Sequence, residues 1–277
     1  MTVRSLVNGC QTEAVSVLDR GLQYGDGVFE TALVKSGRAV AWARHQRRLL
    51  LGCARLGIEF HEIAELAHEI EHLCDGVERA VLKVIVTRGV SGRGYRPLVR
   101  ASGGTPTRIV QLHPDPGAGR HGASGVHITV CRTPWSINPY LAQIKHLNRL
   151  EQILARSEFR EDEVREGLML DTEGNIISAT AANVFLVRAG ALITPDLTRC
   201  GIAGVTREVV LELAAQIAIP VTVRAVSFQD LHAADEIFLT NSVMGLWPVS
   251  AVDKRLVPGG PIAARLETAL EHRLTVE

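Results

Sequence analysis

The sequence predicts an α+β protein made of two α/β subdomains joined by an interdomain loop. Three observations predict it. In the first hundred residues, short runs rich in β-branched residues alternate with longer amphipathic runs. The stretch HPDPGAGRHGASG (113–125) is dense in Gly and Pro and nearly free of large apolar side chains, which marks a linker. From residue 126 onward, strand patterns separated by turn residues resume.

The elements follow in order. VFETALV (28–34), RAVLKVIVTR (79–88) and TRIVQLH (107–113) have the β-branched enrichment of strands. ARHQRRLLLGCARLGI (43–58) places apolar residues at helical spacing with arginines opposite, and HEIAELAHEIEHLC (61–74) is a second amphipathic helix. These elements make an N-terminal subdomain over 1–112. After the linker at 113–125, VHITVCR (126–132) reads as a strand and 147–159 as a helix. Residues 166–194 read as a β-meander with turns at Thr172–Asn175 and Arg188–Gly190. A helix at about 205–217 and strands near 221–226 and 236–240 complete a C-terminal subdomain over 126–277.

Bulk properties exclude several classes. The 277 residues carry a formal net charge of zero, against the basic excess of a general nucleic-acid binder. No apolar run reaches the ~18 residues of a membrane span, and MTVRSLVNGCQTEA lacks the apolar core of a signal peptide. Cys10, Cys53, Cys74, Cys131 and Cys200 are widely spaced without a CxxC pair, as expected of reduced thiols in a cytoplasmic protein.

Two motifs point to other chemistry and fall short of it. HEIEH (68–72) matches the zincin pattern, in which two histidines four apart grip zinc and the glutamate acts as base. Here His61, His68 and His72 lie on the polar side of a helix whose apolar stripe is Ile63, Leu66, Ile70 and Leu73, and no third ligand follows in the usual context, so no metal is expected. GVSGRG (89–94) lacks the Gly-Lys-Ser/Thr ending of a phosphate loop.

The lysines are more informative. There are four, against 26 arginines. Lys35 and Lys254 sit in turn-like stretches, and Lys83 in a strand, where it can snorkel. Lys145 stands apart, in AQIKHLNRLEQ (142–152), between a loop-like segment and a helix. Two further stretches bear on it. CGIAGVTREVV (200–210) puts glycines before a helix with Thr206 in its first turn, a setting whose free N–H groups bind phosphate. EIFLTNS (236–242) ends an apolar strand in three hydrogen-bonding side chains. A lysine, a helix-terminal phosphate cup and polar strand ends together suggest pyridoxal 5′-phosphate held through the lysine.

Over nearly its whole length the sequence resembles the fold-type IV pyridoxal-phosphate enzymes, which include branched-chain and D-amino-acid aminotransferases and a lyase branch. The matching stretches are DRGLQYGDGVFET (19–31), RHQRRL (44–49), VTRGVSGRGY (86–95), IKHLNRLEQ, ATAANVFLV (179–187) and GIAGVTRE (201–208), in family order and spacing. KHLNRLEQ and RGVSGRGY look most like the branch that removes pyruvate from 4-amino-4-deoxychorismate, leaving 4-aminobenzoate for folate synthesis. The resemblance implies a fold-type IV architecture and a homodimer. It implies Lys145 as the Schiff-base lysine and Arg48 as a phosphate ligand, with Val205, Thr206 and Thr240 as further cofactor contacts. It places Thr31 with Lys145 among the catalytic positions and Phe29 in the pocket wall. Arg93 and Tyr95 would contact substrate carboxylate, often in the partner subunit's site.

One departure stands out. The family usually carries a glutamate, partner of the pyridine nitrogen, five residues before the asparagine of NVF. Counting back from Asn183 gives Ser178. A weaker electron sink is expected, which favours elimination over transamination. The alternatives are an aminotransferase of the same fold and a non-catalytic homologue.

Overall fold

The computed structural model describes residues 3–97, 104–115, 125–160 and 164–276. The chain divides into two compact units. The first comprises Met1–Gly117 with Ile144–Asn148, and the second Ala118–Gln143 with Arg149–Val276. Lys145, which the sequence boundaries put in the C-terminal subdomain, thus belongs to the first unit. Of the expected linker, residues 116–124 lie outside the described residues.

The first unit is built on an antiparallel six-stranded sheet in the order β2-β1-β6-β5-β3-β4. Its strands are β1 (Arg4–Val7), β2 (Cys10–Gln11), β3 (Gly27–Lys35), β4 (Arg38–Ala39), β5 (Arg79–Thr87) and β6 (Thr107–Pro114). Its helices are α1 (Arg20–Tyr24), α2 (Trp42–Leu56) and α3 (Ile63–Cys74). The period-2 pattern splits β3 into two faces. Val28, Glu30, Ala32 and Val34 are buried, whereas Phe29, Thr31 and Leu33 are half-buried. Val28 and Val34 join Leu49 and Cys53 of α2, Leu66 and Ile70 of α3, and Leu82 and Val84 of β5 in one core. Each fully buried aliphatic side chain there contributes about 1.5–3 kcal/mol relative to exposure.

The second unit holds a nine-stranded sheet. Its strands are β7 (Val126–Val130), β8 (Glu166–Leu170), β9 (Ile176–Ala179), β10 (Asn183–Arg188), β11 (Ala191–Pro195), β12 (Val221–Arg224), β13 (Glu236–Asn241), β14 (Gly245–Val252) and β15 (Arg255–Leu256). The path runs β12-β11-β10-β13-β14-β7-β8-β9, with β15 on β14. Helices α4 (Leu150–Arg156), α5 (Val205–Gln216), α6 (Phe228–His232) and α7 (Pro261–Val276) complete it. Phe185, Val209, Val210, Phe238 and Leu266 form a core that takes in α5 and α7.

Two expectations change. The helix foreseen over 147–159 is α4, and it begins only at Leu150, because Lys145–Leu147 is extended and hydrogen-bonded to β3. The expected meander is two hairpins. β8 pairs with β9, and β10 pairs with β11 and β13, at separate places in the strand order. The turn signals were correct, but they carry no information about which strand the next one joins.

Candidate active site

In the first unit, Lys145 is fixed by its backbone. The Phe29 N–H donates to the Lys145 carbonyl at 2.9 Å, and the Leu147 N–H donates to the Gly27 carbonyl at 3.0 Å. Gly27 permits this approach, since a Cβ there would strike the Val86 carbonyl and Leu147 Cδ1. Asn148 closes the segment by donating to the Gly25 carbonyl at 3.4 Å. Lys145 Nζ then lies 4.3 Å from the Phe29 ring centroid, a cation–π distance. Lys83 Nζ lies 5.8 Å from the same centroid. Thr31 pairs directly with Lys83 and shares the half-buried face of β3 with Phe29. The structure therefore brings together Lys145, Phe29, Thr31 and Lys83, the last set aside in the sequence as a snorkelling residue.

On the opposite face of β3 lies an ion-pair cluster the sequence reading missed. Arg48 donates from Nε to Glu30 Oε1 at 2.8 Å and from Nη2 to Oε2 at 2.5 Å. His45 Nδ1 is 2.6 Å from Glu30 Oε2. Burial pushes the Glu30 carboxyl up, but Arg48 and His45 outweigh it and hold it at about 2. His45 and Arg48, three apart on α2, face the same strand. The available signal was Glu30 itself, a carboxylate in register with the inward residues Val28, Ala32 and Val34, which demands a partner.

Arg93 and Tyr95 stand on the exposed loop after β5. Buried Arg20 holds that loop by its backbone, donating to the carbonyls of Gly94 at 2.8 Å and Tyr95 at 3.1 Å. Asp26 orients Arg20 and Arg88 together, accepting from Nε of each at 2.8 and 2.7 Å. The Tyr24 and Tyr95 rings meet edge to face at 5.6 Å.

In the second unit, Ser178 is buried on β9. Its hydroxyl donates to the Ala179 carbonyl at 2.9 Å and accepts from the Trp135 indole N–H at 3.0 Å. The Arg149 guanidinium lies 5.3 Å from the Trp135 ring centroid, and burial lowers it to about 10 against the opposing effect of Glu151. The groups hydrogen-bonded to the Ser178 hydroxyl, a carbonyl and an indole N–H, are both uncharged. Trp135 had no signal of its own in the sequence.

Val205 and Thr206 open α5, whose first N–H groups have no intrahelical partner by helix geometry and no N-cap side chain to accept from them. Thr206 is buried, with its hydroxyl 3.5 Å from that of Ser242. Thr240, 1 % exposed, has a buried hydroxyl without a hydrogen-bond partner. Helix-terminal N–H groups and hydroxyls are the donor set a phosphate takes, and the orphaned Thr240 hydroxyl is a donor awaiting an acceptor. These residues fit the phosphate of pyridoxal phosphate.

The HEIEH segment is otherwise engaged. His68 and His72 are exposed, while Glu69 is buried and accepts from Arg108 Nε and Nη2, each at 2.7 Å. The carboxylate a zincin would use as base is a structural ion pair here.

A family model described as amino-transferase class IV matches residues 27–252. The chain belongs to the class IV aminotransferase family. This class IV chain is 33 % identical over 268 residues to an aminodeoxychorismate lyase of Vibrio harveyi, spanning 94 % of this chain and 97 % of that protein. It is 32 % identical over 248 residues to a putative branched-chain-amino-acid aminotransferase of Methanocaldococcus jannaschii, spanning 88 % and 84 %. Among solved structures, 4-amino-4-deoxychorismate lyase from Pseudomonas aeruginosa matches with a TM-score of 0.92 at 43 % identity, covering 97 % of this chain and 98 % of that one. The architecture is the expected fold-type IV arrangement, and the family cofactor is pyridoxal 5′-phosphate.

Proposed function

We propose that the protein is a pyridoxal-phosphate lyase that eliminates pyruvate from 4-amino-4-deoxychorismate and leaves 4-aminobenzoate, in the cytoplasm, for folate synthesis. The observation that carries the reading is the likeness along the full chain to a lyase at 43 % identity. The cofactor, when bound, supplies the electron sink for the substrate carbon that carries the amine. Lys145 joins the cofactor, and Val205, Thr206 and Thr240 take its phosphate. The resemblance assigns Arg48 to the phosphate as well, although its Nε and Nη2 are engaged by Glu30 on the face of β3 opposite to Phe29. Ser178 is assigned to the ring nitrogen.

In this reading Lys145 Nζ would act as the base that takes the proton from the amine-bearing carbon of the substrate. The neighbouring carbon–oxygen bond breaks, and Lys145 returns the proton to the leaving enolpyruvyl oxygen, which tautomerises to pyruvate. Atoms balance without added water. Phe29 packs against Lys145 Nζ and limits where it can reach. Thr31 lines the same face, and Arg93 and Tyr95 bind substrate carboxylate. The protein is assigned a homodimeric state, which sedimentation tests directly; Val17, Leu18, Leu22, Val90 and Tyr95 are exposed apolar residues of the first unit.

The deciding assay offers aminodeoxychorismate and measures pyruvate and 4-aminobenzoate together. Equimolar release supports the lyase. Formation of a 2-oxo acid from branched-chain or D-amino acids, without pyruvate release from aminodeoxychorismate, supports the aminotransferase reading that the 32 % identical relative keeps in play.

A further inference from the structure

Asn183 has no part in the roles assigned above, yet it contacts the segment that leads into α5. It is the first residue of β10 and 6 % exposed. It pairs directly across the ladder with Thr240, so the two side chains share one face of the sheet. Its Nδ2 donates to the Ile202 carbonyl at 2.9 Å. Its Oδ1 lies against Gly204, the residue that caps α5, so closely that a Cβ on Gly204 would overlap it. The amide therefore reaches both ends of the Ile202–Gly204 stretch, holding the Ile202 carbonyl and filling the space that a side chain at Gly204 would need.

We propose that Asn183 is the positioning residue of the cup, holding the start of α5 where its N–H groups and the orphaned Thr240 hydroxyl converge on one phosphate. The second observation is independent of the helix terminus. The Thr240 hydroxyl, 1 % exposed and without a partner, is the direct ladder neighbour of the side chain that holds the terminus. The loop before α5 has further anchors. Gln143 pairs with it from its far side, the Gln143 N–H donating to the Gly201 carbonyl at 2.8 Å and the Ala203 N–H donating to the Gln143 carbonyl at 3.1 Å. The first turn of α5 is also tied down by Arg207, whose Nη2 donates to the Pro195 carbonyl at 3.0 Å, while Asn183 is the side chain that fills the space at Gly204 itself. No ion pair can substitute, because the contact is an amide against a carbonyl and a bare Cα.

The inference rests on the cup being the cofactor's phosphate site, and the test separates the two. Pyridoxal phosphate and pyridoxal, which lacks the phosphate, are titrated against apoprotein of wild type and Asn183→Ala, with loading read from visible absorbance. Asn183→Ala should weaken pyridoxal phosphate about tenfold and leave pyridoxal within twofold, so the ratio of the two affinities falls. Gly204→Ala should lower the same ratio in the wild-type background and cost little more in Asn183→Ala, where the clashing oxygen is gone. Asn183→Ser replaces Asn183→Ala if the latter fails to show a native melting transition. An unchanged ratio, or equal losses for both ligands, overturns the positioning role. Wild-type protein that binds pyridoxal as tightly as pyridoxal phosphate removes the phosphate cup itself, and the inference with it.

Discussion

Replacing Ser178 with glutamate tests whether this side chain faces the pyridine nitrogen. The substitution exchanges a hydroxyl worth about 1 kcal/mol as a hydrogen bond for a carboxylate. At ~4 Å from a protonated ring and an effective dielectric of about 20, that carboxylate would contribute on the order of 4 kcal/mol. The site is buried, Ser178 being 4 % exposed, so desolvation removes several kcal/mol of the gain. The Trp135 indole N–H, which now donates to the Ser178 hydroxyl, would return part of it as a charge-assisted bond. The net effect is about 1.4 kcal/mol, or tenfold, in favour of the protonated ring. The visible spectrum of the loaded protein, recorded across pH for both proteins, should show its transition displaced to more alkaline pH by about one unit. Transamination with D-alanine should rise about tenfold, and pyruvate release should change less. If the spectrum titrates identically in both proteins and the ratio of the two reactions stays fixed, Ser178 does not face the ring, and the argument from its neutrality to elimination chemistry fails.

Lys145→Ala should abolish turnover with the melting temperature within a few degrees of wild type, and borohydride reduction of the loaded protein should label Lys145. A label on Lys83, which shares the Phe29 ring, would reassign the chemistry. Glu30→Gln should remove a pH-dependent share of stability. The folded carboxyl lies at about 2 against an ordinary 4.5, so its contribution, about 3 kcal/mol, is present above pH 4.5 and fades as pH falls toward 2. Denaturant melts at pH 7 and pH 3 should show the wild-type advantage shrinking at the lower pH, and an equal advantage at both would refute the ion pair. Arg48→Ala should weaken pyridoxal phosphate by roughly 1.5–3 kcal/mol, provided its phosphate contact is a charge-assisted hydrogen bond. Metal analysis should find well below one zinc per chain, and Glu69→Gln should cost stability through Arg108 instead of activity.

Much of the fold was legible because its period is local. The alternation in VFETALV and the helical spacing in ARHQRRLLLGCARLGI each correspond to an element within two residues of the expected ends. What was not legible depends on long-range pairing. The strand order of β8 to β11 is set by packing among segments far apart in sequence, and the delayed start of α4 is set by hydrogen bonds to β3, more than a hundred residues earlier. The candidate site divides in the same way. Lys145, Thr206 and Thr240 could be read from local chemistry, a lysine in a polar island and hydroxyls at element ends. Glu30 signalled only that a partner was needed, and Trp135 and Asn183 gave no signal, since each acts through a partner at a distance: Arg48 eighteen residues on, Ser178 forty-three residues on, and Gly204 twenty-one residues on.

Three stretches that look separate in the sequence turn out to share one half-buried carboxylate and one glycine. Asp26 accepts from Arg20 and Arg88, and despite the opposing effect of burial these two arginines hold its carboxyl below the usual carboxylate range. Arg20 carries that anchoring to the backbone of Gly94 and Tyr95, so the position of the loop bearing Arg93 depends on the same aspartate. The next residue, Gly27, accepts the Leu147 N–H and leaves room for the Leu147 side chain, so the register of Lys145 on β3 depends on the residue beside that aspartate. DRGLQYGDG, VTRGVSGRGY and IKHLN are therefore parts of one support in the first unit. Changes in the GDG turn should disturb Lys145 and the loop bearing Arg93 together, although neither Asp26 nor Gly27 has any reactive chemistry of its own in the proposed elimination.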